Sequence, residues 1–213
     1  CKVDLFMKPN ENTERLHDMT QLIKRMSAFL LCLMLLMGAF TETALAAPDW
    51  PSGVSIQAES GIVIDADTGT VLWGQNIHNQ YFPASITKIM TALIVIEKCS
   101  LDETVTFSHN AVFNVEAGSS NAGINEGDKL SVKDCLYALL LKSANESANA
   151  LAEHVAGSTE AFADMMNAKA KELGCTDTHF ANPSGLNNPE HYTSTYDMAL
   201  IARAAFLNPT FEE

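Results

Sequence analysis

The stretch FPASITKIMTALIVIEK, residues 82–98, carries two signals at once. Its apolar residues are dense enough to mark a largely buried helix, and Pro83 just ahead fits a helix start. Cys99-Ser100-Leu101-Asp102 ends it. At its beginning stands Ser85-Ile86-Thr87-Lys88. Residues three apart share a helix face, so the Ser85 hydroxyl and the Lys88 ammonium can meet. In a first turn the Ser85 backbone N–H is free to stabilise an oxyanion. The positive helix end and burial both disfavour a charged lysine, which lowers its pKa toward that of a general base. Such a lysine could deprotonate the serine without a histidine. Taken alone, the tetrapeptide reads rather as an N-cap serine with a solvated lysine.

Working outward, Val54–Asp65 alternates and is rich in β-branched residues, Asp67-Thr68-Gly69-Thr70 signals a turn, and Val71-Leu72-Trp73 follows. The pattern predicts an antiparallel hairpin. Residues 76–84 read as a loop, residues 104–107 as a short strand, and the glycine-rich residues 118–128 as another loop. Helices are expected at Val132–Leu141 with Ser131 as cap, from Glu146 to Val155, at Thr159–Leu173 and at Ser194–Phe206. Asn182-Pro183-Ser184-Gly185-Leu186 reads as a turn. A hairpin followed by a block of helices implies an α+β fold, and two strands alone do not make a stable sheet.

The 213 residues carry 13 Lys and Arg against 26 Asp and Glu, a net charge of −13. Acidity of this order argues against nucleic acid as a partner, because phosphate binding needs clustered basic residues. Residues 1–46 hold five basic and five acidic residues, so all of the net charge lies beyond Ala46. The first region has the order of a signal peptide: Lys24 and Arg25, an apolar run from Ala28 to Phe40, then Ala44-Leu45-Ala46. That run is short for a membrane span. Export is expected, with Met19 or Met26 starting the leader and residues 47–213 forming the second domain. Beyond the leader Cys99, Cys135 and Cys175 remain, an odd number that leaves at least one thiol unpaired. His78, His109, His154, His179 and His191 are spaced without metal-ligand logic, and no metal or cofactor is expected.

Three blocks then act together: FPASITKIMTALIVIEK, LLLKSANESANALAEHVAGS (139–158) and FANPSGLNNPEHYTSTYDMALIARAA (180–205). In this order and at these separations, over about residues 54–207, the chain resembles the low-molecular-mass penicillin-binding proteins that are serine-type D-alanyl-D-alanine carboxypeptidases. The resemblance implies a β-lactamase/D,D-peptidase-like fold, with an antiparallel sheet packed on a helical subdomain. It implies that Ser85 is the nucleophile acylated by the penultimate D-alanine carbonyl, with Lys88 as its base and the Ser85 N–H in the oxyanion hole. Ser143 and Asn145 match the Ser-x-Asn motif. Ser143 would relay a proton to the leaving amine, while Asn145 would bind the substrate amide and orient Lys88. Partners implied are peptidoglycan stem peptides ending in D-Ala-D-Ala and β-lactam antibiotics.

The third family motif, Lys-Thr-Gly or a variant, does not occur in these residues. Its strand and the last strands of the sheet are expected beyond residue 213, as is the membrane anchor frequent in the family. The catalytic domain is therefore expected to be truncated, and this fragment inactive. Glu146, Ser184 and Thr195 are small departures from the family pattern. Two other readings stay open: a serine β-lactamase of related fold, which would need a deacylating carboxylate, and a non-catalytic binder of cell-wall peptides.

Overall fold

The computed structural model describes residues 19–27, 29, 53 and 56–213. It divides into two units, Cys1–Asp49 and Trp50–Glu213. Within the first, residues 19–27 are helical (α1). Nearly all of the apolar run at Ala28–Phe40 and the Ala44–Ala46 site lie outside the described residues. No helix among the described residues is long and apolar enough to cross a membrane.

The second unit opens with the expected hairpin, β1 (Gly61–Ile64) paired antiparallel with β2 (Val71–Gln75), Val63 opposite Trp73. Its first strand is shorter than the alternation from Val54 predicts, for residues 57–59 form bends ahead of Gly61. The turn is built by Asp65, whose carboxylate accepts from the Thr68 N–H and hydroxyl at 2.8 and 2.6 Å, while Gly69 takes φ +75°. This is the local side-chain-to-backbone bonding that makes Asp a turn former.

Next come β3 (Gln80–Tyr81), a 3-10 turn over Ala84–Ile86, α2 (Thr87–Lys98), β4 (Thr104–Thr106), α3 (His109–Phe113) and β5 (Lys129–Ser131). Then follow α4 (Val132–Leu141), α5 (Asn145–Ala156), α6 (Thr159–Glu172), β6 (Thr193–Ser194), α7 (Thr195–Phe206) and α8 (Pro209–Glu212). Ser108, Ser131, Ser158 and Ser194 cap α3, α4, α6 and α7, each hydroxyl accepting a first-turn N–H. Gly157 at φ +84° ends α5. Among the described residues the strands form three two-stranded ladders, β1–β2, β3–β6 and β4–β5, instead of one sheet. Each ladder leans on helices: β1 packs against α7, and β4 against α5.

The core is helical. Met90, Ile94, Val95, Leu136, Leu139, Leu151, Phe162, Met166 and Ile201 are buried together, with Phe107 and Phe180 closing the cluster. α5 runs through its middle, and every residue from Asn145 to Ala152 is buried. α2 and α5 lie side by side in the same direction. Lys88 meets Asn145 near both starts, and the side chains of Cys99 and His154 lie together near both ends.

Candidate active site

The 3-10 turn before α2 puts Ser85 on the surface at the head of that helix, not inside its first α-turn as the sequence spacing implies. Ala84 just before it sits at φ +49°, a left-handed conformation unusual for alanine. Lys88 follows one turn later and is 2% exposed. Ser143 and Asn145 come from the link between α4 and α5. Ser143 also takes a left-handed backbone, φ +54°, and the Asn145 N–H donates to Ser120 O of the glycine-rich loop at 3.0 Å. Two of the three non-glycine residues with positive φ among the described residues thus belong to this cluster. Backbone strain of this kind costs about 1–3 kcal/mol per residue and persists where the surroundings enforce it.

All four residues singled out by sequence come together. Lys88 Nζ donates to Ser85 Oγ at 3.3 Å and to Asn145 Oδ1 at 2.8 Å, and Ser143 Oγ donates to Ser85 Oγ at 2.8 Å. The third partner of the lysine is the Ser184 carbonyl at 2.6 Å. Burial pulls the Lys88 pKa down to about 8, against the opposing pull of the Glu146 carboxylate. Glu146 is itself buried and accepts the Ala122 N–H at 2.6 Å, which ties the glycine-rich loop to α5.

The geometry selects a use for the neutral amine. Asn145 Oδ1 and Ser184 O are acceptors only, so both need an N–H from Lys88 in either protonation state. After losing one proton the amine keeps those two bonds, and its lone pair is left facing Ser85 Oγ. At pH 7 a lysine of pKa about 8 is neutral in about one molecule in ten, against about three in ten thousand for an ordinary lysine.

The Asn182–Leu186 turn, read from sequence only as a turn, holds the Ser184 carbonyl in place. Asn182 Oδ1 accepts the N–H groups of Ser184 and Gly185 at 3.2 and 2.7 Å, and its Nδ2 donates to Leu186 O at 3.0 Å. Thr91 Oγ1 donates to Pro183 O at 2.6 Å. Gly185 is at φ +83°, and a Cβ on it would overlap the Ala84 carbonyl. His191 completes the support. Its Nδ1 accepts the Ala181 N–H at 3.1 Å, so the neutral ring carries its proton on Nε2 and donates to Thr87 Oγ1 at 2.8 Å. Burial lowers its pKa to about 4, with His179 adding to the effect. A cleft of about 560 Å³ opens beside this turn, lined by Asn114, Asn149, Asn182, Ser184, Leu186 and Asn188 among others. It shares Ser184 with the Ser85 cluster but contains neither Ser85 nor Lys88.

An exposed serine, a buried lysine of lowered pKa and a second serine hydroxyl are groups that can carry out serine acyl transfer without a histidine. The chain belongs to the D-alanyl-D-alanine carboxypeptidase family, which matches residues 42–212. It is similar to D-alanyl-D-alanine carboxypeptidase DacF of Bacillus subtilis, 38% identical over 185 residues that cover 84% of this chain and 46% of that protein. It is similar also to DacD of Escherichia coli, 37% identical over 165 residues, 74% of this chain and 42% of that one. Among solved structures, penicillin binding protein 6B of Escherichia coli superposes with a TM-score of 0.73 at 36% identity, covering 77% of this chain and 55% of that chain. DacD of Francisella tularensis gives 0.70 at 37% identity, covering 74% and 39%. The α+β, β-lactamase-like fold expected from sequence is the fold of these neighbours. The chain spans about half the length of the curated relatives it matches.

Proposed function

We propose that the protein is a serine D,D-carboxypeptidase that removes the terminal D-alanine from peptidoglycan stem pentapeptides through an acyl-enzyme. The observation that carries this reading is the bracketing of the Lys88 amine by Asn145 Oδ1 and Ser184 O, with its remaining position at Ser85 Oγ. In acylation, neutral Lys88 takes the Ser85 proton as Oγ attacks the penultimate D-alanine carbonyl. The Ser85 N–H stabilises the oxyanion. The proton taken by Lys88 passes through the Ser143 hydroxyl, bonded to Ser85 Oγ, to the departing D-alanine amine. This leaves Lys88 neutral and Ser143 protonated again, and the free Asn145 Nδ2 is available to the substrate amide. Water then attacks the ester with Lys88 again as base, restoring Ser85. A β-lactam enters by the same acylation and leaves slowly.

In this reading residues 1–46 are the upstream residues and signal peptide, and residues 47–213 belong to the catalytic domain. Export would put the enzyme outside the cytoplasmic membrane, where peptidoglycan lies.

The test uses the full-length protein. Fluorescent penicillin should label Ser85, and Ser85→Ala should abolish labelling while the fold is kept. A diacetyl-Lys-D-Ala-D-Ala peptide should release D-alanine. Labelling that survives Ser85→Ala refutes the nucleophile. Rapid turnover of the β-lactam without D-alanine release would establish a β-lactamase instead, and neither labelling nor release would leave a cell-wall peptide binder.

A further inference from the structure

We propose that Cys99, Glu103 and His154 form a binding site for a zinc-class divalent cation at the end of α2 and α5 opposite Ser85. The three donor atoms lie within 4.8 Å of one another. Donors on a tetrahedral zinc ion, bound at 2.0–2.3 Å, are about 3.3–3.8 Å apart. Side-chain adjustments of about an ångström bring these three into that range. A thiolate, an imidazole and a carboxylate are the ligand types zinc takes, and solvent would fill the fourth position.

Two features beyond proximity favour a cation here. Glu103 is already aimed: its Oε1 accepts the Ser100 N–H at 2.6 Å, which directs Oε2 toward His154 Nε2 at 3.0 Å. Such outer contacts orient metal ligands. Cys99 caps the C-terminus of α2, and His154 lies in the last turn of α5. Both helices therefore present their negative ends to the same spot, where positive charge is stabilised. His154 and Glu103 are 24% and 43% exposed, which leaves an entry path. On binding, the Cys99 thiol gives its proton to solvent. The His154 ring shifts its proton to Nδ1, so that Nε2 and Glu103 Oε2 face the ion instead of each other. With α2 about 18 Å long, the cation sits far from the Ser85 hydroxyl and acts as a staple between the two helices.

The test is titration of the chelator-treated full-length protein with Co²⁺ as a spectroscopic stand-in for Zn²⁺. A thiolate-to-cobalt charge-transfer band should grow and saturate at one equivalent. Cys99→Ala should remove it, and Glu103→Gln should weaken Co²⁺ binding at least tenfold. Glu103 is exposed, so this variant tests the site even if replacement of Cys99 disturbs packing. Zn²⁺ should raise the Tm of the wild type and of Ser85→Ala equally, which separates this site from the peptidase reading. Absence of the band, or a band that persists in Cys99→Ala, overturns the proposal.

Discussion

In the proposed mechanism, few atoms separate Lys88 as a base from an inert lysine. Its two obligate acceptors, Asn145 Oδ1 and Ser184 O, fix two N–H bonds, so its titration changes only what faces Ser85. Acylation by penicillin should therefore rise with pH as Lys88 deprotonates, with an apparent pKa near 8, and level off above it. A rate profile that climbs only near 10 would remove burial as the cause. Lys88→Arg keeps the charge but cannot supply a neutral base, so the acylation rate should drop by about 10²–10⁴ in stopped-flow labelling. Ser85 and Lys88 were legible because three residues make nearly one helical turn. Ser184 was not, because the contact is made by its backbone carbonyl from 96 residues away. A carbonyl leaves no mark in a sequence.

Among the elements, the Asn182–Leu186 turn shows what a turn signal withholds. Its residues announce the turn, yet nothing in them says which surface it will meet. The structure seats Gly185 against Ala84 with no room for a Cβ and with φ +83°. Gly185→Ala should combine a clash with left-handed strain, lowering stability by about 2–4 kcal/mol in chemical denaturation and slowing penicillin acylation. His191, on the same turn's flank, gives an acid-sensitive link. Its pKa falls from 6.5 unfolded to about 4 folded, so between these values the unfolded chain holds the extra proton. The contribution is complete above pH 6.5 and is lost as pH falls through 4, a span of about 3 kcal/mol. The drop in stability between pH 6.5 and 4 should be smaller in His191→Gln than in the wild type, since carboxylates titrate in both. The boundaries of α4, α5, α6 and α7, by contrast, were readable to within a residue, whereas the short α3 and α8 were not expected and α2 begins two residues later than the sequence implies. Ser131, Ser194 and Gly157 are local signals that act where they stand.

At the scale of the molecule, the site depends on α5 passing through the core beside α2. Hydropathy does not announce this, because the buried half of α5 is mostly Ser, Ala and Asn. Small residues let α2, α3, α4 and α6 all pack around one helix, and Asn145 is delivered to Lys88 by that packing. Two helix N-termini then converge on the serine, where their positive ends favour a developing oxyanion and oppose a charged Lys88. Ala148, fully buried one turn beyond Asn145, tests the dependence. Ala148→Leu adds volume where the core has none to spare, so stability should fall by about 1–3 kcal/mol. The displaced helix should also draw Asn145 from Lys88 and slow acylation. The same enlargement at Ala168, exposed on α6, should change stability by less than about 0.5 kcal/mol and leave acylation untouched. If Ala148→Leu lost stability but acylated at the wild-type rate, the loop around Ser143, not the depth of α5, would be what positions Asn145.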